Sequence, residues 1–149
     1  MARAPFQVLV LPYRIISKNI EYCIFKRSDK DMWQFVSGGG EDTESKLEAA
    51  IREMFEETQT DVSNNIVELK TISSIPTLCF KEIIDNYPNL YVIPEYAFGT
   101  ETNNEFTLSE EHSEYKWVGY ETALTYLMFD SNKTAMYELS MMLQKRHND

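Results

Sequence analysis

Gln7–Arg14 (QVLVLPYR) and Ile20–Lys26 (IEYCIFK) are two runs dominated by β-branched and aromatic residues, and the turn-like Ser17-Lys18-Asn19 separates them. That pattern predicts a β-hairpin. Ser28-Asp29-Lys30-Asp31 marks a second turn, after which Met32–Phe35 forms a short aromatic segment leading into a glycine loop, Gly38-Gly39-Gly40. The period of the pattern then lengthens to that of a helix. Ser45 followed three residues later by Glu48 is a capping-box signature, and Leu47, Ala50, Ile51, Met54 and Thr58 fall on one side of a helix predicted over Ser45–Gln59. Ile66–Ser74, Thr77–Ile83, Tyr91–Thr100 and Lys116–Val118 read as further strands, with Lys81–Pro88 open between strand, helix and loop. Tyr120–Met128 and Asn132–Gln144 read as closing helices. No repeat, low-complexity tract or linker breaks the chain, so residues 1–149 are read as one domain. The order of elements predicts an α/β fold in which a mixed sheet is sandwiched between helices.

Composition narrows the function. A net charge of -10 disfavours nonspecific nucleic-acid binding, which depends on Lys and Arg neutralising phosphates. A small phosphate ligand stays compatible with an acidic protein if a divalent cation stands between them. No run approaches the roughly 18 apolar residues of a membrane span, and Met1–Tyr13 lacks the features of a signal peptide. A cytoplasmic protein without a membrane partner is the expectation. Cys23 and Cys79, each flanked by bulky apolar residues and without metal-ligand spacing, read as two reduced core thiols.

The candidate chemistry lies on the first helix. At 100° per residue, Glu53, Glu56 and Glu57 fall within an arc of about 100°, opposite the apolar face. Like charges at that spacing repel, and the C-terminal end of a helix disfavours anions. Arg52 can pair with Glu56 at i,i+4, but one guanidinium cannot neutralise three acids. A solvated acidic face is the plain explanation; a site for a hard, oxygen-preferring cation such as Mg²⁺ or Mn²⁺ is the other. The glycines just before the helix favour the second, because they let backbone approach a ligand closely.

The spacing also matches a known pattern. Gly38, Glu44 and then Arg52-Glu53-Met54-Phe55-Glu56-Glu57 resemble the Nudix box, G-x5-E-x7-R-E-U-x-E-E-x-G-U with U a bulky aliphatic residue, at seven of its nine defined positions. Chance agreement at one start point is on the order of 10⁻⁷ given average residue usage. Gln59 and Thr60 depart from the box, at the helix exit rather than on the acidic strip. The resemblance to Nudix hydrolases implies the Nudix fold and hydrolysis of a pyrophosphate bond in a nucleotide-like small molecule by water activated at Mg²⁺ or Mn²⁺. It implies Glu53 and Glu57 as principal metal ligands, Glu56 as a further ligand or proton acceptor, and a backbone carbonyl at Ser37 or Gly38 completing a shell. It implies that Glu44 and Arg52 orient the helix.

Glu111-His112-Ser113-Glu114-Tyr115-Lys116-Trp117-Val118 is similar to a segment of the bacterial Nudix pyrophosphatases of the dihydroneopterin triphosphate and dATP type, which implies that Glu111 reaches the metals or the attacking water. Trp33-Gln34 and Asp130–Ala135 point the same way. Glu53, Glu56 and Glu111 all remain candidates for the base. His112 alone reads as an ordinary histidine and receives no role. Lys26, Arg27 and Gly39 are candidate phosphate contacts, and Phe80, Tyr91, Tyr96 and Phe98 are candidate ring partners. Pro76 resembles the mark of ADP-ribose-cleaving members, so an ADP-ribose-type pyrophosphatase is an alternative; a noncatalytic nucleotide-binding Nudix regulator is another. Homodimers are frequent in the family.

Overall fold

A computed structural model describes residues 2–148. β1 (Arg3–Ile16) and β2 (Asn19–Arg27) form the predicted hairpin, with Tyr13 opposite Tyr22 and Ile16 opposite Asn19. Ser17 and Lys18 both take positive φ, 49° and 72°, the handedness that lets a two-residue turn follow the twist of its strands. β3 (Trp33–Gln34), β4 (Val36–Glu41), β5 (Ile66–Pro76), β6 (Val92–Glu101) and β7 (His112–Val118) complete a seven-stranded sheet. Its main path runs β3-β2-β1-β6-β5, with β4 paired to β1 and β7 to β2. The sheet is mixed because β1 pairs with β6 in parallel while the other pairings are antiparallel.

The apolar runs of β1 and β2 are nearly continuous because both faces are covered. Leu9, Leu11, Tyr22, Ile24 and Ala97 point into one core with Ala135, Met136 and Leu139; Val8, Val10, Cys23, Phe25 and Phe98 point into the other with Ala49, Ala50 and Met54. The second core lies under α1 (Lys46–Thr58), and the first under α3 (Tyr120–Tyr126) and α4 (Asp130–Asn148). Sheet strands thus alternate sides with period two, and a layered α/β fold follows. Among the described residues no helix is long and apolar enough to cross a membrane.

Three expectations are corrected. Gly38–Gly40 is not a loop but part of β4, with Gly38 opposite Val8 and Gly39 opposite Gln7. None of these glycines has positive φ. Thr77–Ile83 is not a strand: the ladder to β6 ends at Pro76, and the chain turns through a 3-10 turn (Thr77–Cys79) into the short helix α2 (Lys81–Asn86). Leaving the sheet puts Cys79 on the surface, so only Cys23 is a buried thiol, and burial pushes its pKa up.

Candidate active site

Local rules set the start of the acidic helix. The Ser45 hydroxyl accepts from the Glu48 backbone N–H at 3.1 Å, and the Glu48 carboxylate accepts from the Ser45 N–H at 2.8 Å, the reciprocal capping box. At the other end Gln59 occupies the left-handed region at φ 61°, so the residue standing where the box has Gly carries that strain and keeps the same exit. Between the caps the helix is turned differently from the sequence expectation. Ala49, Ala50, Glu53, Met54, Glu57 and Thr58 are buried, whereas Leu47 is 43% exposed. Glu53 and Glu57 therefore sit beside the apolar face rather than opposite it, and only Glu56 of the three acids is exposed.

Arg52 fixes the helix to the strand before it. Its Nε donates to Glu44 at 2.7 Å and one Nη to the other Glu44 oxygen at 3.1 Å, a bidentate pair, while the same Nη donates to the Gly39 carbonyl at 2.7 Å. Its remaining Nη reaches Glu53 at 3.1 Å and Glu56 at 3.1 Å. The Arg52 guanidinium holds the Glu44 carboxyl below its usual range against the effect of burial. Glutamates on three sides raise the pKa of Arg52 itself, the hydrogen bond to Glu44 most of all.

Glu53 and Glu57 have opposite environments. The carboxyl of Glu53 lies where a Cβ on Gly38 would stand, which explains why this strand position has no side chain. Burial pushes Glu53 up to about 7; Arg52 opposes the rise, and Glu56 and Glu111 add to it. Glu57 is buried too, yet its pKa is held below the ordinary value. Burial raises it, but hydrogen bonds outweigh that: His112 Nδ1 lies 2.8 Å away and the Ser109 hydroxyl donates at 2.6 Å. Gln34 Nε2 lies 3.4 Å from the other ring nitrogen of His112, an arrangement in which Nδ1–H donates to Glu57 and Nε2 accepts. Burial pushes the pKa of Glu111 up, and the nearby Glu57 charge pushes it further.

Glu53, Glu111, His112 and Gln34 border a cleft of about 800 Å³ lined also by Ser37, Gly38, Gly39 and Arg27, whereas Glu44, Arg52, Glu56 and Glu57 are not part of its wall. Arg27 is held by Asp29 through two hydrogen bonds, at 2.9 and 2.8 Å. Lys26 turns instead toward Asp31, 3.6 Å away, and is not part of the cleft wall. Of the candidate ring partners only Phe80 lines the cleft: Phe98 is in the core, Tyr96 faces Phe6 and Lys46, and Tyr91 is 72% exposed. Three contributors had no local signal in the sequence. His112 gains its role only from a strand and a helix brought together, Phe129 comes from the approach to α4, and Arg3 reaches in from the first residues of β1. A smaller concavity of about 430 Å³ beside Thr60, Asn65 and Glu101 contains none of these groups.

Among the described residues no three His, Cys, Asp or Glu side chains already converge as a metal site, since Arg52 engages Glu53 and Glu56 while His112 engages Glu57. The donor set still suits a hard cation. Glu53 is a buried carboxyl with acids on both sides and one shared arginine, so added positive charge there relieves repulsion.

The NUDIX domain model matches residues 14–139, a span that includes the whole acidic helix and its flanking strands. The chain belongs to the Nudix family. A Nudix hydrolase structure from Listeria monocytogenes is 44% identical, with a TM-score of 0.86, covering 96% of this chain and 97% of that one. The dihydroneopterin triphosphate diphosphatase of Haemophilus influenzae is 30% identical over 123 residues, 80% of this chain and 78% of that protein. The Escherichia coli dihydroneopterin triphosphate pyrophosphohydrolase shares the fold at a TM-score of 0.75 and 24% identity, covering 94% and 99% of the two chains. The protein is a Nudix hydrolase, and the mixed sheet between helices is the Nudix fold.

Proposed function

We propose that this Nudix hydrolase, read as one domain over residues 1–149, is a Mg²⁺- or Mn²⁺-dependent pyrophosphohydrolase of nucleoside triphosphates or dihydroneopterin triphosphate. The observation that carries the reading is Glu53, a buried acid set against the glycine strand in the wall of a large cleft, with a second buried acid, Glu57, one turn further along the same helix behind the cleft-lining His112. The substrate class is supported by the name of the Haemophilus relative.

In this reading Glu53, Glu57 and Glu56, with the Ser37 or Gly38 carbonyl, hold the cation. A cation held there would make water more acidic and would offset charge on the leaving oxygen. The side chains do the rest. Arg52 and Glu44 keep the helix seated on β4, and His112 with Ser109 aims one Glu57 oxygen. Arg27 and the Gly39 backbone stand at the cleft wall to meet phosphate oxygens. Water forms a bond to phosphorus, the bridging P–O bond breaks, and Glu53, Glu56 or Glu111 takes the water's proton. The products are a monophosphate and inorganic pyrophosphate.

The test is a panel of nucleotides and dihydroneopterin triphosphate with Mg²⁺, Mn²⁺ or EDTA, read by product. Pyrophosphate released only with metal supports the reading. Two monophosphates from ADP-ribose would instead favour the dinucleotide reading, to which Pro76 in the cleft wall lends support. Nucleotide binding without turnover would favour a regulator.

A further inference from the structure

The acidic helix can grip a pyrophosphate, but it cannot tell one heterocycle from another. Groups that can do so lie further along the same cleft. Gln7 on β1 and Glu95 on β6 are register partners in the parallel pair, so their side chains emerge on the same face of the sheet, the one packed against α3 and α4. Both are buried, with 8% and 7% exposure, and both line the cleft. The Arg3 guanidinium donates to Gln7 Oε1, which commits the Gln7 amide oxygen. Asn132 is already committed, its Oδ1 accepting the Phe35 N–H at 2.9 Å.

Glu95 is different. Burial pushes its carboxyl up, and only the Ser131 hydroxyl, in the first turn of α4, acts against this. Among the described residues no Lys or Arg forms an ion pair with it. A buried carboxyl without a cation is costly for the fold unless something donates to it. Its neighbours in the strand, Ala97 and Ile93, are ordinary core residues, so packing alone would favour an apolar side chain here. The carboxyl thus brings acceptors, met so far by the Ser131 hydroxyl alone, to the wall of a cleft that also includes Phe80 and Phe129.

A carboxylate fork accepts two parallel N–H donors. The 2-amino-4-oxopyrimidine edge, shared by guanine and pterin, places a ring N–H beside an exocyclic NH2 and fits that fork. The adenine edge presents a lone pair where the ring N–H would be. We propose that Glu95 determines base specificity by accepting two N–H bonds from a 2-amino-4-oxopyrimidine ring, guanine or pterin, seated in this cleft. The inference deepens the pyrophosphohydrolase reading and rests on it for the position of the phosphates.

The test compares kcat/KM for dGTP, dITP, dATP and dihydroneopterin triphosphate in the wild type and in Glu95→Gln. dITP lacks only the exocyclic amine. The wild type should favour dGTP over dITP by about 10-fold or more, the loss of one hydrogen bond to a charged group. In Glu95→Gln, where one acceptor becomes a donor, the ratio should fall to near unity and dATP should gain on dGTP. If only dihydroneopterin triphosphate is turned over, its loss in Glu95→Gln identifies pterin as the ring. Equal use of dGTP and dITP by the wild type, or an unchanged ratio in the variant, overturns the assignment. Calorimetry with dGMP and dIMP on metal-free protein separates the two readings. Selective dGMP binding without any turnover keeps Glu95 and removes the pyrophosphohydrolase; metal-dependent turnover without base preference does the reverse.

Discussion

Glu53 and Glu138 are both helix carboxylates close to the sheet, and the protein treats them in opposite ways. Glu138 on α4 accepts the Lys70 and Thr71 backbone N–H groups at 2.6 and 2.8 Å and the Thr71 hydroxyl at 2.5 Å, so it is saturated with donors. Burial would raise its pKa, but these bonds outweigh burial and lower it. Glu53 on α1 shares one arginine with Glu56 and faces other acids, and its pKa rises to about 7. Glu138 is supplied with hydrogen bonds, whereas Glu53 is left short of positive charge and the helix bears the repulsion.

The sharpest way to break this contrast is through the residue that makes Glu57 unlike Glu53. His112→Ala should lower kcat/KM about 10–100-fold, the usual cost of losing a group that orients a ligand. His112→Asn, which keeps an N–H near the Nδ1 position, should recover part of it. Equal loss in both variants would mean that the ring fills space beside Phe25 rather than aiming Glu57.

Glu138→Gln should leave turnover unchanged and reduce stability by about 1–2 kcal/mol in urea unfolding. The sign with pH follows from the lowered pKa: the contribution of Glu138 is present above the ordinary carboxyl value of 4.5 and is lost as pH falls below it. The difference between wild type and variant should therefore shrink on acidification from pH 6 to pH 3; a constant difference would contradict the assignment. The smallest effect is at the helix exit. Gln59→Gly removes a left-handed non-glycine residue and should stabilise by up to about 1 kcal/mol in thermal melts, with no change in rate.

What could be read from the sequence was what local rules decide. Ser45 and Glu48 cap the helix, Ser17 and Lys18 turn the hairpin, and the box spacing locates the acids, all within a few residues of one another. Structure and local pattern part where distant chain segments meet. The glycines became a strand because β1 pairs with them, and Glu53 and Arg3 side chains occupy the space their Cβ atoms would need. The buried face of α1 differs from the periodicity's expectation because Leu47 stays 43% exposed while Ala49, Glu53 and Glu57 are buried. His112 could not be distinguished from any other histidine until β7 and α1 came together. The short helix after Pro76 replaced a strand because the ladder to β6 stops at Pro76.

The most direct measurement is Mn²⁺ binding, by calorimetry or by the loss of free-ion paramagnetic resonance signal, to wild type and Glu57→Gln without substrate. Wild type should take up the ion at submillimolar to millimolar concentration, and the folded variant should bind it at least about 10-fold more weakly. No binding by the wild type, or equal binding by both, would contradict the claim that the acids of α1 tolerate one another because a cation joins them.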